Sequence, residues 1–137
     1  VSEDLRNLYD IRDGVEADRN FILATFLRGL YYGDSWFSII PKQVFMENYK
    51  KVIIALLKIR LVKVACLKED PDVILGYCIM TPDQTTVDWV FVKSAWRKQG
   101  IGSHLIPHSV ATFTHLSATG KKLIQRYPNS IFNPFLT

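Results

Sequence analysis

Apolar residues recur at two different periods along this chain, and the switches between them outline its elements. Residues 8–12 form a short run closed by Asp13-Gly14, which reads as a first strand. Glu16, Ala17 and Asp18 then open a helix, and Phe21, Ile22, Phe26 and Leu30 follow at helical spacing. The stretch from Tyr31 through Trp36 interrupts that pattern. Pro41 suits the first turn of a second helix, whose apolar face is Phe45, Tyr49, Val52, Ile53 and Leu57. Three runs of strand character come next, at residues 61–67, 73–80 and 85–92, separated by polar turns at 68–72 and 81–84. In the third run Val87, Trp89 and Phe91 share one face, and Thr86, Asp88, Val90 and Val92 share the other.

The string Gln99-Gly100-Ile101-Gly102-Ser103 follows. It leads into an apolar helical pattern expected to run from residue 101 to about 116, with Gly120 as its stop. Pro107 lies inside that span and is expected to kink it, at a cost of up to about 3 kcal/mol. Residues 122–127 read as a last strand, and PNSIFNPFLT as a short helical or irregular end. The order is β-α-α-β-β-β-α-β. Tight turns between the three consecutive strands imply an antiparallel meander, and the strand-helix-strand unit after it implies a parallel pair. The fold class is therefore α/β (α+β): a mixed, mostly antiparallel sheet with flanking helices.

Composition changes this picture little. At 137 residues, 1–137 is expected to be one domain with one core, and 48% hydrophobic with 22% charged residues excludes a disordered chain. The longest apolar run, 52–57, falls short of the roughly 18 residues a membrane span needs. The polar start VSEDLRNLYD has no secretory character, so a cytoplasmic location is expected, with no membrane partner. Cys66 and Cys78 lack metal-type spacing and are expected to be buried thiols. His104 and His108 stand four apart, but no third ligand is in view, so no metal site is expected. Seventeen basic against thirteen acidic residues give +4, which suits an anionic ligand. No basic run exceeds two residues, so a nucleic-acid groove is not indicated.

The chemistry concentrates at the glycine turn. The first N–H groups of a helix have no intrahelical partner, and glycines let the backbone approach a ligand without a Cβ in the way. A strand-to-helix junction at Gln99, Gly100, Ile101, Gly102 and Ser103 is thus a candidate phosphate cradle. It is not a Walker A loop, because no Gly-Lys-Ser/Thr follows. The dinucleotide fingerprint fails too, because Leu105 stands at the third glycine position.

The string from Val92 to Leu105, VKSAWRKQGIGSHL, resembles the acyl-coenzyme A signature of the GCN5-related N-acetyltransferases (GNAT superfamily), Arg/Gln-x-x-Gly-x-Gly/Ala after a hydrophobic strand. Arg97, Gly100 and Gly102 fit it position by position. The order of elements from residue 8 to 127 agrees with the family's, including two parallel strands that splay apart. The resemblance implies acetyl-CoA as co-substrate, with its pyrophosphate on Gln99, Gly100, Ile101, Gly102 and Ser103 and its pantetheine arm along Phe91 and Val92. Arg97 and Lys98 would add charge for the phosphates, and Asn129 and Asn133 would bond the pantetheine amides. It further implies transfer to a primary amine, on a small molecule or a protein, by direct attack in a ternary complex. Asp88 is the candidate base, and Tyr127 the candidate general acid. Tyr31, Tyr32, Asp34 and Trp36 are the candidate acceptor pocket.

The chain departs from the family's pattern after residue 127. Phe132 and Phe135 stand where a tyrosine is often found, and the usual closing strands are missing, so it reads as a C-terminally abbreviated member. A homodimer that completes the open sheet edge would answer the second departure. Two functions remain open: an active N-acetyltransferase, or a catalytically degenerate CoA-binding or protein-interaction module.

Overall fold

The computed structural model describes residues 8–33 and 35–136, excepting the side chains of residues 35, 36, 118 and 119. A six-stranded sheet runs in chain order: β1 (Tyr9–Asp13), β2 (Leu61–Leu67), β3 (Ile74–Met80), β4 (Thr86–Val92), β5 (Thr112–Phe113) and β6 (Ile131–Phe132). The pairs from β1 to β4 are antiparallel, and β4–β5 and β5–β6 are parallel. The mixed sheet with flanking helices is the one expected from the pattern of elements.

Helices cover both faces. On one side α1 (Arg19–Gly33), the short α2 (Ser35–Ser38) and α3 (Lys42–Ile59) follow one another in the chain. Ile22, Phe26, Leu30, Phe45 and Ile53 pack there with Val64, Tyr77, Ile79 and Trp89 of the sheet. On the other side α4 (Ile101–Leu105) and α5 (Ala118–Leu123) enclose a second cluster, which includes Leu75, Cys78, Val87, Ile101, Leu105 and Phe113. Cys66 and Cys78 are both buried and free.

Three expectations are corrected. The helix after the glycine turn ends at Leu105, not near 116. Ile106 is already extended (φ −76°, ψ 126°), because the residue before a proline is driven out of helical space, and Pro107 offers no N–H to continue. The alternating stretch freed in this way becomes β5, which Phe113 anchors in the core. Residues 122–127 are therefore not the last strand. They complete α5 and a 3-10 turn at Ile124–Arg126, and Gly120 lies inside α5, not beyond a helix. The Ser117 hydroxyl caps α5 by accepting from the Gly120 N–H at 2.9 Å.

The third correction concerns the faces of β4. Met80 is opposite Val87 while Ile79 is opposite Trp89, so Asp88 is the extra residue of a β-bulge. The bulge resets the alternation. Val87 packs with Val90 and Val92, while Trp89 and Phe91 pack on the α1/α3 side.

Candidate functional site: the open edge of β4 and the glycine turn

The parallel pairing of β4 with β5 involves only Thr86 and Val87, opposite Thr112 and Phe113. Thr114 N–H still bonds the Val87 carbonyl at 3.0 Å, and the chain then leaves toward α5. From Trp89 onward that edge of β4 has no neighbouring strand among the described residues. Lys93 N–H bonds back to Leu75 of β3 at 2.8 Å, so by alternation Phe91 serves β3 while Val90 and Val92 direct their backbone groups to the open edge.

The result is a cleft of about 740 Å³ between α1, the end of β4, the glycine turn and α5. Its walls include Phe91 and Val92, and Arg97, Lys98, Gly100, Ile101, Gly102 and Ser103 of the turn. The turn holds two residues in the left-handed region, Lys98 (φ 64°) and Gly100 (φ 88°). At Gly100 that conformation is nearly free, and a Cβ there would meet nothing within 4 Å, so its open side faces available space. Among the described residues, no backbone N–H from Gln99 to Ser103 is donated within the protein. Arg97 closes the turn by donating Nε–H to the Val92 carbonyl at 2.9 Å, which leaves its two terminal nitrogens exposed. At the other end of α4, Tyr9 and His104 pair through the hydroxyl and Nδ1 at 3.0 Å.

The remaining candidates are dispersed. Tyr32 lines the cleft, but Tyr31 is buried among Phe45 and Tyr32, with its hydroxyl donating to the Ile40 carbonyl at 2.8 Å. Asp34 and the Trp36 side chain lie outside the described residues. Gln99 borders the turn without lining the cleft. Asn129 lines a separate pocket of about 220 Å³ together with Tyr127 and His108. Asn133 caps the last turn, accepting from Phe135 N–H at 3.0 Å. Burial pushes the Tyr127 phenol above its ordinary value, while Ser103 beside it acts in the opposite direction.

Asp88 does not line the cleft. Its side chain is fully enclosed, accepting from Arg60 Nε–H at 2.7 Å and from the Thr114 hydroxyl at 2.8 Å. His115 extends the network, with Nδ1 2.9 Å from Thr114 Oγ1 and Nε2 2.9 Å from the Tyr49 hydroxyl. Burial pushes the His115 imidazole below its ordinary value, against the pull of Asp88.

Several lining residues carry no mark in the sequence motif: Arg28 and Gly29 of α1, Trp89, Lys122, and Arg126. Gly29 is required by packing, because a Cβ there would sit 2.7 Å from Cζ2 of Trp89. Lys122 and Arg126 stand four apart, a signal hidden while that stretch reads as a strand.

No family model and no curated protein matches this sequence. Solved structures do match. A Pyrococcus furiosus protein provisionally described as an acetyl transferase is 17% identical and superposes with a TM-score of 0.58, over 91% of this chain and 80% of its own. YjaB from Escherichia coli is 13% identical with a TM-score of 0.57, over 88% and 80%. A GCN5-related N-acetyltransferase from Rhodopseudomonas palustris is 17% identical with a TM-score of 0.51, over 88% and 68%. The chain has the fold of the GCN5-related N-acetyltransferases.

Proposed function

We propose that this protein is an N-acetyltransferase that binds acetyl-CoA in the cleft beside β4 and transfers the acetyl group to a primary amine. One observation carries the reading. The unpaired edge of β4 runs directly into a turn of undonated amides, inside a single cation-lined cleft.

The Val90 backbone and the Val92 N–H offer strand-type hydrogen bonds to the amides of an extended pantetheine arm, while the Val92 carbonyl already holds Arg97. Gly100, Ile101, Gly102 and Ser103 offer N–H groups to a pyrophosphate, and Arg97 and Lys98 offer charge. Bound acetyl-CoA would supply the activated acyl group. An attacking amine must be neutral. No carboxylate lines the cleft among the described residues, whereas Arg28, Arg97, Lys98, Lys122 and Arg126 do. Such a field disfavours an ammonium ion and promotes its loss of a proton to water. In this reading Asp88 is a positioning residue that fixes the bulge of β4 through Arg60 and Thr114. The amine forms the new C–N bond as the C–S bond breaks, and the proton the amine gives up is taken by the departing thiolate.

The absence of a lining carboxylate among the described residues also favours a second reading, a CoA-binding module without transferase activity. Calorimetric titration with acetyl-CoA, with ATP as control, tests both. Affinity near micromolar, about −8 kcal/mol, is expected for acetyl-CoA alone. Gly102→Glu should abolish it by placing a carboxylate in the phosphate cradle. Retained affinity in that variant would refute the assignment of the turn. Thiol release on addition of amines then separates the enzyme from the inactive module.

A further inference from the structure

We infer that the amine acceptor carries an anionic group, a carboxylate or a phosphate, which Arg28 holds. This rests on the acetyltransferase reading of the cleft and adds the class of acceptor to it.

The cations of the cleft fall into two groups. Arg97 and Lys98 belong to the turn of undonated amides, and Lys122 and Arg126 to the α5 side, which meets the turn where Leu123 would lie 3.6 Å from a Cβ at Gly102. That end is assigned to the phosphates of the coenzyme. Arg28 belongs to the other wall, formed by α1, where it shares one helical face with Gly29, Tyr32 and Gly33. Gly29 seats that wall directly against Trp89, at the start of the unpaired edge. The α1 wall and the glycine turn are therefore two distinct borders of the same cleft.

Arg28 is exposed and makes no hydrogen bond or ion pair among the described residues. A guanidinium presents a planar fork that matches carboxylate and phosphate geometry. One turn further along α1, the lining residue Tyr32 carries a second positive charge on its ring, with Lys42 Nζ 5.4 Å from the ring centre. A polycationic acceptor entering here would meet like charge, with no carboxylate among the described lining residues to offset it. An amine that brings its own anion meets Arg28 instead. Its ammonium group still lies in a positive field that favours the neutral, nucleophilic form.

The test uses matched probes: phenylalanine against phenylalanine amide, glucosamine 6-phosphate against glucosamine, and spermidine as the polycation. Turnover is followed by thiol release, and binding of each probe to the CoA-loaded protein by calorimetry, which reports even where turnover is slow. The anionic member of at least one pair should be preferred by about tenfold or more. The pair that shows the preference distinguishes carboxylate from phosphate. Arg28→Ala should erase the preference mainly through KM and leave acetyl-CoA affinity unchanged, and Arg28→Glu should shift preference toward spermidine. Preference for spermidine in the natural protein, failure of both anionic probes to bind, or loss of acetyl-CoA affinity in Arg28→Ala would each overturn the inference. If acetyl-CoA itself does not bind, the acetyltransferase reading fails first and the inference falls with it.

Discussion

Asp88 shows how strongly one residue's role depends on its surroundings. Alternation along β4 places it beside Val90 and Val92, but as the extra residue of a bulge it is enclosed by Arg60 and Thr114. Sequence spacing specifies which residues alternate, not where a strand takes in an extra one, so the enclosure was not legible there. Removing one partner of a buried ion pair leaves the other charge uncompensated. Asp88→Asn should therefore destabilise the protein by about 3 to 5 kcal/mol, read as a fall in the thermal midpoint. Acetyl-CoA affinity at low temperature should change little, because Asp88 does not line the cleft. The glycines, by contrast, were legible at residue scale. Positive φ at Gly100 and open space beside it are what a Gly-x-Gly turn leads one to expect.

Among the elements, the antiparallel meander was readable because β2, β3 and β4 are β-branched runs separated by polar turns, and local pattern is enough to specify them. The C-terminal half was not, because one proline decides it. Pro107 ends α4 after five residues and thereby creates β5, and the stretch that looked like a strand becomes the continuation of α5. The start of the chain has its own latch. Arg12 of β1 grips Asp18, at the entry to α1, with two bonds of 2.8 and 2.9 Å, and Val15 N–H adds a third at 2.8 Å. The Arg12 guanidinium holds the Asp18 carboxyl below the ordinary carboxylate value. The sign follows: folding favours the ionised form, so this stabilisation is present above the unfolded-state pKa, about 4. It is lost as pH falls through the lower folded-state value. Urea denaturation from neutral pH down to about pH 3 should show Asp18→Asn already weakened at neutrality. That variant should lose less further stability on acidification than the natural protein does.

For the molecule as a whole, the fold comes from helices on both faces of the sheet and the candidate site from a gap within it. Net charge of +4 said only that an anion was plausible. The placement of Arg28, Lys98, Lys122 and Arg126 around one cleft needed the helices in position, since these residues come from three separate parts of the chain. Two candidate acceptor residues, Tyr31 and Tyr32, are neighbours in sequence, yet only Tyr32 lines the cleft, because adjacent residues point about 100° apart on a helix. Amide hydrogen exchange with and without acetyl-CoA reads the gap itself. Binding across it should slow exchange at Val90, Val92 and Gln99 through Ser103, and leave the amides of the interior strands β2 and β3, already paired in the sheet, unchanged. Unaltered exchange at the edge of β4 and in the turn, in the presence of saturating acetyl-CoA, would contradict the assignment of the cleft to the coenzyme.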